Sequence, residues 1–380
     1  MEIKLKQLSC ESKGTELAGV TAPQKAGASA IPQKYSLREI KSAPGFSPYS
    51  NRIEAVATNG TVLLSNRKCQ TGEPRDEDTL AQYSVILGGN LRAIEIETEL
   101  RRSWSESESQ KDLPEAHFTD VNRKGEAVGA VVRWAKWKAE ELPARFPTNR
   151  LLHLDATGEH LTIYTLPEQY TIITAKISDA GHIAIYTGTG KALFVTKDVL
   201  EPIADLDVER KAYFSTPTLF LNRNGVVAGD APGQASFLWS RGGGILPISS
   251  EHGAISLRGL NQHGIAVGRV NRGKGLGNWA CKVEVVNGKP EITYLPTEHG
   301  FMTFATARAI NSAGIIVAAN HSRTHFVSDG EVSYPLQQLC PELSERGMLT
   351  IKGISDDGKI YLKSYTGKPA NPTLVLEPEM

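Results

Sequence analysis

The sequence predicts an all-β protein: a seven-bladed β-propeller of four-stranded antiparallel blades, closed by an N-terminal strand that pairs with the C-terminal blade. Three observations predict it. One turn phrase recurs seven times along the chain, a second hairpin follows the copies, and the last unit is one strand short.

The turn phrase reads "AVATNGTVLLS" (55–65), "DVNRKGEAVGA" (120–130), "KISDAGHIAIY" (176–186), "FLNRNGVVAGD" (220–230), "GLNQHGIAVGR" (259–269), "AINSAGIIVAA" (309–319) and "GISDDGKIYLK" (353–363). Its frame is an aliphatic residue, Asn or Ser, two free positions, Gly, and an apolar-rich run; only the first copy departs, with Ala57 at the Asn or Ser position. Asn or Ser at the head of a turn accepts a hydrogen bond from the backbone two residues on. The Gly stands where the chain takes positive φ, in a short hairpin loop that closes on a bulge; a side chain there costs about 1–2 kcal/mol. The flanking runs are short, β-branched and bounded by turn signals, which reads as strand rather than helix. Small residues after the turn (Gly129, Gly229, Gly268, Ala318) predict strands pressed against a close neighbour.

The second hairpin is "YSVILGGNLRAIEI" (83–96) after Gly60, "RLLHLDATGEHLTIYTLP" (150–167) after Gly125 and "ASFLWSRGGGILPIS" (235–249) after Gly225. After Gly264 it is "WACKVEVVNGKPEITYLP" (279–296), turning at Asn287-Gly288, and after Gly314 "THFVSDGEVSYPLQQ" (324–338), turning at Asp329-Gly330. A unit of four strands in roughly 40–65 residues is the size of a propeller blade. One such sheet leaves both faces open; radial stacking covers them, and closing the ring hides the two ends. The final unit supplies "MLTIKGIS", "KIYLKS" and "PTLVLEP", and no fourth strand. "YSLREI" (35–40) resembles the fourth strands elsewhere ("ILPIS", "YTLPE", "YPLQQ") and is expected to complete that blade. Residues 1–34, rich in Ala, Gly, Ser and Pro, read as a poorly ordered leader, and 35–380 as a single propeller domain.

Bulk properties narrow the function. Lys+Arg and Asp+Glu are both 42, so no global field draws the chain to nucleic acid or an anionic membrane, and no nucleic-acid partner is expected. The four cysteines, Cys10, Cys69, Cys281 and Cys340, form no CxxC pair, so reduced thiols are expected and neither a metal nor a cofactor. No apolar stretch approaches the ~20 residues of a spanning helix. No secretory signal is visible at the N-terminus, which favours a cytoplasmic location unless a signal was removed. A monomer is expected.

The phrase G-[IL]-N-x-x-G-x-x-[VA]-G, with the aromatic strands "SFLW" (236–239) and "THFV" (324–327), resembles the HAF-type repeat family. The resemblance spans about residues 50–377. It implies a propeller-like array, often exported, and brings no catalytic residue with it.

The linear signatures of catalysis are missing: no GxSxG, no HExxH and no complete Walker A pattern. "TGTGKA" (187–192) reads as a hairpin linker rather than a phosphate loop, and "DDG" (356–358) and "SDAG" (178–181) as turns rather than calcium loops. On a propeller, function sits in the loops of one rim and around the axis. If the Asn-x-x-Gly turns join the first and second strands at one rim, the long, varied segments 66–82, 98–116, 133–149, 270–278 and 320–324 build the other. Within "RWAKWK" (133–138), Trp134 and Trp137 are candidates to stack on a sugar, a base or a partner side chain while Arg133 and Lys136 grip an anion. The alternative is that both tryptophans pack the insertion onto the ring. "SSEHGA" (249–254) and "PTEHGF" (296–301) are equivalent crossings that carry the pairs Glu251-His252 and Glu298-His299. With His321, Arg323 and His325 they either converge near the axis, where a metal or anion is bound, or remain solvated turn residues. Arg269 and Arg272 add positive charge there or are ordinary surface residues. The sequence thus favours a non-catalytic recognition scaffold that binds a protein or a glycan through the long-loop rim. The alternative is a hydrolase or lyase with a His/Glu cluster at the axial mouth.

Overall fold

The structure is a computed structural model describing residues 4–5, 31–40, 51–66, 82–94, 100, 114–135, 144–196, 199–205, 218–230, 236–273, 277–297, 300–365 and 373–379. Seven antiparallel sheets of four blade strands form, each a meander in which consecutive strands are neighbours. The first strands of the blades are Asn51–Val56, Pro114–Val121, Ile172–Ile177, Thr218–Leu221, Ala254–Leu260, Ala305–Ile310 and Met348–Ile354. Each lies beside the first strand of the next blade, and Met348–Ile354 returns to Asn51–Val56, so these strands form the inner wall of a closed ring. Blade three carries an added two-residue strand, Lys4–Leu5, parallel to its outermost strand Val199–Asp205. A small hairpin, Pro296–Thr297 with Gly300–Phe301, links blades five and six. Among the described residues no helix is long and apolar enough to cross a membrane.

The repeated turns behave as their chemistry dictates. All seven frame glycines, Gly60, Gly125, Gly181, Gly225, Gly264, Gly314 and Gly358, have φ between +77° and +84°. In every copy the Gly N–H donates to the carbonyl of the turn's first residue at 2.9–3.2 Å. The asparagines do more than close their own turns. Each Oδ1 of Asn122, Asn222, Asn261 and Asn311 accepts from the backbone N–H four residues on, while Nδ2 donates to the carbonyl of the equivalent residue in the next blade at 3.0–3.1 Å. One side chain thereby ties two blades together, and both halves of the amide are satisfied. Ser178 keeps only the turn half, accepting from His182 N–H. At the ring's closing junction, Asp356 N–H donates to the Thr58 carbonyl at 2.5 Å and the Tyr361 hydroxyl to the Gly60 carbonyl at 3.2 Å.

The hydrophobic core is not central. Buried apolar side chains sort into seven clusters, one at each junction between neighbouring blades, including blades seven and one. Side chains alternate across a strand, so Ala127 and Val131 of blade two face blade one while Val128 and Ala130 face blade three. Middle strands covered on both faces become continuously buried, as in Ile183–Thr187 and Ser236–Ser240.

The last blade is built from Met348–Ile354, Ile360–Tyr365, Thr373–Pro378 and, outermost, Tyr35–Ile40. The latch strand pairs antiparallel with Thr373–Pro378 in six registered pairs, from Tyr35↔Pro378 to Ile40↔Thr373. Tyr35 and Ile31 are buried in the cluster between blades six and seven.

Candidate functional site

The Asn-x-x-Gly turns occupy one rim, and the loops between second and third strands, with the crossings between blades, occupy the other. On that second rim, blades five and six bring four segments together. They are the crossing at 249–253, residues 271–273 with 277–278, residues 295–297 with 300–304, and the loop 320–324.

Trp279 opens the third strand of blade five, Asn278–Val286, and Tyr294 ends the fourth, Lys289–Tyr294. Their rings meet edge to face at 4.9 Å between centroids. His252, carried in by the first crossing, completes the group at 5.4 Å from Trp279 and 5.8 Å from Tyr294. Its turn is pinned by His252 N–H donating to Ser250 Oγ at 3.1 Å, and Glu251 Oε1 lies 3.4 Å from His252 Nε2. The loop between second and third strands then lays the Arg272 guanidinium carbon 3.8 Å from the Trp279 ring centroid, a cation–π contact.

The second crossing adds Phe304. Backbone bonds from Ala280 N–H to the Met302 carbonyl and from Met302 N–H to the Leu295 carbonyl anchor it to blade five. Phe304 is 48% exposed and has φ +51°, the left-handed region that costs a non-glycine residue about 1–2 kcal/mol. Its ring lies against Gly277, where a Cβ would sit 2.8 Å from ring carbons. Its carbonyl accepts from His321 N–H at 2.9 Å, and the two rings are 6.3 Å apart. Arg323 follows in a second left-handed step, φ +65°, with its N–H on the Asn320 carbonyl.

The sequence candidates therefore separate. His252 and Arg272 converge on Trp279, while His321 and Arg323 border Phe304. A cluster at the axial mouth does not form from His252, because its aromatic partners belong to the third and fourth strands of blade five, in the blade's outer half. His325 is also no mouth residue: it is 2% exposed in the third strand of blade six, with Nε2 3.2 Å from the Leu349 carbonyl. Arg269 lies in the second strand of blade five opposite Ser256, set against Arg258 and Asp230 rather than in the aromatic contacts of this rim group. Arg133 and Trp134 end the blade-two strand Ala127–Ala135, whereas Lys136, Trp137, Glu298 and His299 lie outside the described residues. Among the described residues no group of three or more His, Cys, Asp or Glu side chains is gathered to hold a metal. Trp279, Tyr294 and Phe304 were not singled out from the sequence. An aromatic immediately after or before the long loops was their only signal, and such residues equally fill inter-blade cores.

No family model matches the chain, and no curated protein matches it. Among solved structures, YCF48 from Cyanidioschyzon merolae aligns over 90% of this chain and 98% of its own, with TM-score 0.53 and 11% identity. A complex of YCF48 bound to D1 peptide aligns over 91% and 96%, with TM-score 0.47 and 14% identity. The β-propeller domain of the Trilobed protease from Pyrococcus furiosus covers 87% and 96%, with TM-score 0.47 and 11% identity. The first likeness shows the seven-bladed propeller fold.

Proposed function

We propose that this protein is a non-catalytic recognition scaffold that binds a polypeptide partner on the rim of blades five and six. One observation carries the reading: Phe304 is exposed on a left-handed backbone step beside the Arg272–Trp279–Tyr294–His252 group. Backbone strain that leaves a large apolar ring half exposed to solvent suits a contact surface. Trp, Tyr and Arg in one cluster are the residues that dominate protein–protein interfaces. A polypeptide is favoured over a glycan because Arg272 already covers a face of Trp279, the kind of surface on which a sugar ring would stack.

The HAF-type reading rests on the turn phrase and adds no site of its own. The hydrolase or lyase alternative draws no support from His252 or His321, which are held in separate aromatic contacts.

The test pans a displayed random-peptide library on the full chain and on the variants Phe304→Gly and Arg272→Ala. Phe304→Gly should lose rim-selected peptides by about tenfold or more, as for a hot-spot truncation. It should also unfold at equal or higher denaturant concentration, because strain of about 1–2 kcal/mol is released. Peptides that bind both variants as they bind the parent would refute the site, and selective binding on a glycan array would return the glycan reading.

A further inference from the structure

First and second strands slip register in six blades, and in five of them the slip falls at the same place before the turn. The pairing of first with second strand slips by one residue at Ile53/Ala55, Phe118/Asp120, Leu257/Gly259, Ala307/Ala309 and Ile351/Gly353. The extra residues are Glu54, Thr119, Arg258, Arg308 and Lys352, each three positions before the residue that heads the turn. A bulge of this kind re-aims side chains, and the packing shows how. Ala307 packs into the junction with blade five and Ala309 into the junction with blade seven. Ile53 faces blade seven and Ala55 faces blade two; Ile351 faces blade six, and Gly353 lies against Val56 of blade one. The residue between belongs to neither face. The strand's outer edge is taken by the second strand, so the side left open is the axis.

Around that axis the charges are one-sided. Arg258, Arg308 and Lys352 come from three consecutive blades, followed by Glu54 in blade one and Thr119 in blade two. Arg269, opposite Ser256 in blade five, joins Arg258 and Arg308. Against these three guanidiniums stands Asp230, which accepts from Arg258 Nη1 at 3.3 Å, from Ser256 Oγ at 2.6 Å and from the Thr218 hydroxyl. Arg269 Nε is buried and has no partner among the described residues. Arg308 is exposed to solvent on this wall; partial burial of its guanidinium, then Arg258 and Arg269, lower it from its ordinary value. His325 adds no negative charge: burial holds it neutral, and its ring bonds the Leu349 carbonyl. Further round, burial and Arg52 press Lys352 downward, while Glu54 is already engaged by Ser65 Oγ at 2.5 Å and by Arg52 at 3.4 Å.

Like charges gathered in a partly desolvated wall cost stability unless something answers them. Planar guanidinium forks match the oxygens of a phosphate group. We propose that the axial wall of blades five and six is a binding site for a phosphate group, held by Arg258, Arg269 and Arg308. This site is separate from the aromatic rim and stands whether or not the rim binds a polypeptide.

The experiment is calorimetric titration of the full chain with inorganic pyrophosphate, with citrate and a phosphoserine peptide as second and third arms, all at fixed ionic strength. Pyrophosphate should bind, and Arg308→Gln should weaken it by about tenfold or more, the loss of a charge-assisted hydrogen bond. Lys289→Gln, exposed on the outermost strand of blade five, should bind as the parent does. Without ligand, Arg308→Gln should melt at the same or a higher temperature, since an uncompensated cation is removed. Phosphoserine binding that follows the same variant identifies a polypeptide-borne source, and pyrophosphate binding alone a free one. No pyrophosphate binding, equal binding by Arg308→Gln, stronger binding of citrate than of pyrophosphate, or a destabilised Arg308→Gln would each overturn the proposal.

Discussion

His325 is buried at the junction of blades six and seven, where its Nε2 lies 3.2 Å from the Leu349 carbonyl, a geometry in which a neutral imidazole donates. Burial is the main cause that lowers its pKa from the ordinary 6.5, and the nearby Arg308 acts in the same direction. His153 and His182 are lowered as well, again chiefly by burial. The unfolded chain therefore takes up protons on these rings before the folded chain does. Their contribution to stability is fully present above about pH 6.5 and is lost as the pH falls from there through the lowered folded values. Denaturation midpoints should drop between about pH 7.5 and about pH 5.5, and His325→Gln, whose amide also donates, should flatten part of that slope. A midpoint that rises on acidification over the same window would contradict the burial argument.

At the scale of an element, the hairpin turn is the unit that both folds a blade and joins it to the next. Asn311 shows how. Its Oδ1 takes the Ile315 N–H at 2.9 Å within its own turn, and its Nδ2 reaches the Ser355 carbonyl at 3.1 Å in blade seven. Asn311→Ala leaves the buried Ile315 N–H unpaired and removes one of the two hydrogen bonds to the Ser355 carbonyl, which keeps the one from Gly358 N–H, and should cost about 1–3 kcal/mol. Asn311→Ser, the residue found in copies three and seven, keeps an acceptor for the turn and loses only the cross-blade bond, so its loss should be smaller. Urea midpoints of the two variants check the order, and equal losses would mean that the cross-blade half contributes nothing. The bulged first strands act at the same scale. The register slip brings the Ser256 carbonyl oxygen to within 2.1 Å of where a Cβ on Gly268 would lie, and the His117 oxygen equally close at Gly129. The close neighbour expected at these glycines is thus the bulge of the blade's own first strand.

For the molecule as a whole, closure is the controlling event, because every apolar cluster lies between two blades and none is shielded by a single sheet. The latch Tyr35–Ile40 covers the outer edge of Thr373–Pro378, whose Leu374, Val375 and Leu376 are fully buried. Removing residues 1–40 should expose that edge as a template for aggregation. Removal of 1–30 should leave the pairing intact. Size-exclusion profiles and melting temperatures of the two truncations separate these outcomes, and a 1–40 truncation that melts like the full chain would show that the ring does not depend on its latch.

How much was legible follows from distance along the chain. The sequence by itself determined the number of blades, the positive-φ glycines and the identity of the latch strand. Each is signalled within a turn and its flanking residues, such as Asn261 to Gly264 or the missing fourth strand after Thr373–Pro378. Only the tertiary structure decided that Asn side chains bind the neighbouring blade, that His252 stacks on Trp279 rather than meeting His321, and that Arg258, Arg308 and Lys352 share one inner wall. These depend on how consecutive blades pack and on one-residue slips of register. Such slips turn a side chain from one face to another without altering the hydrophobic pattern that is read along the chain.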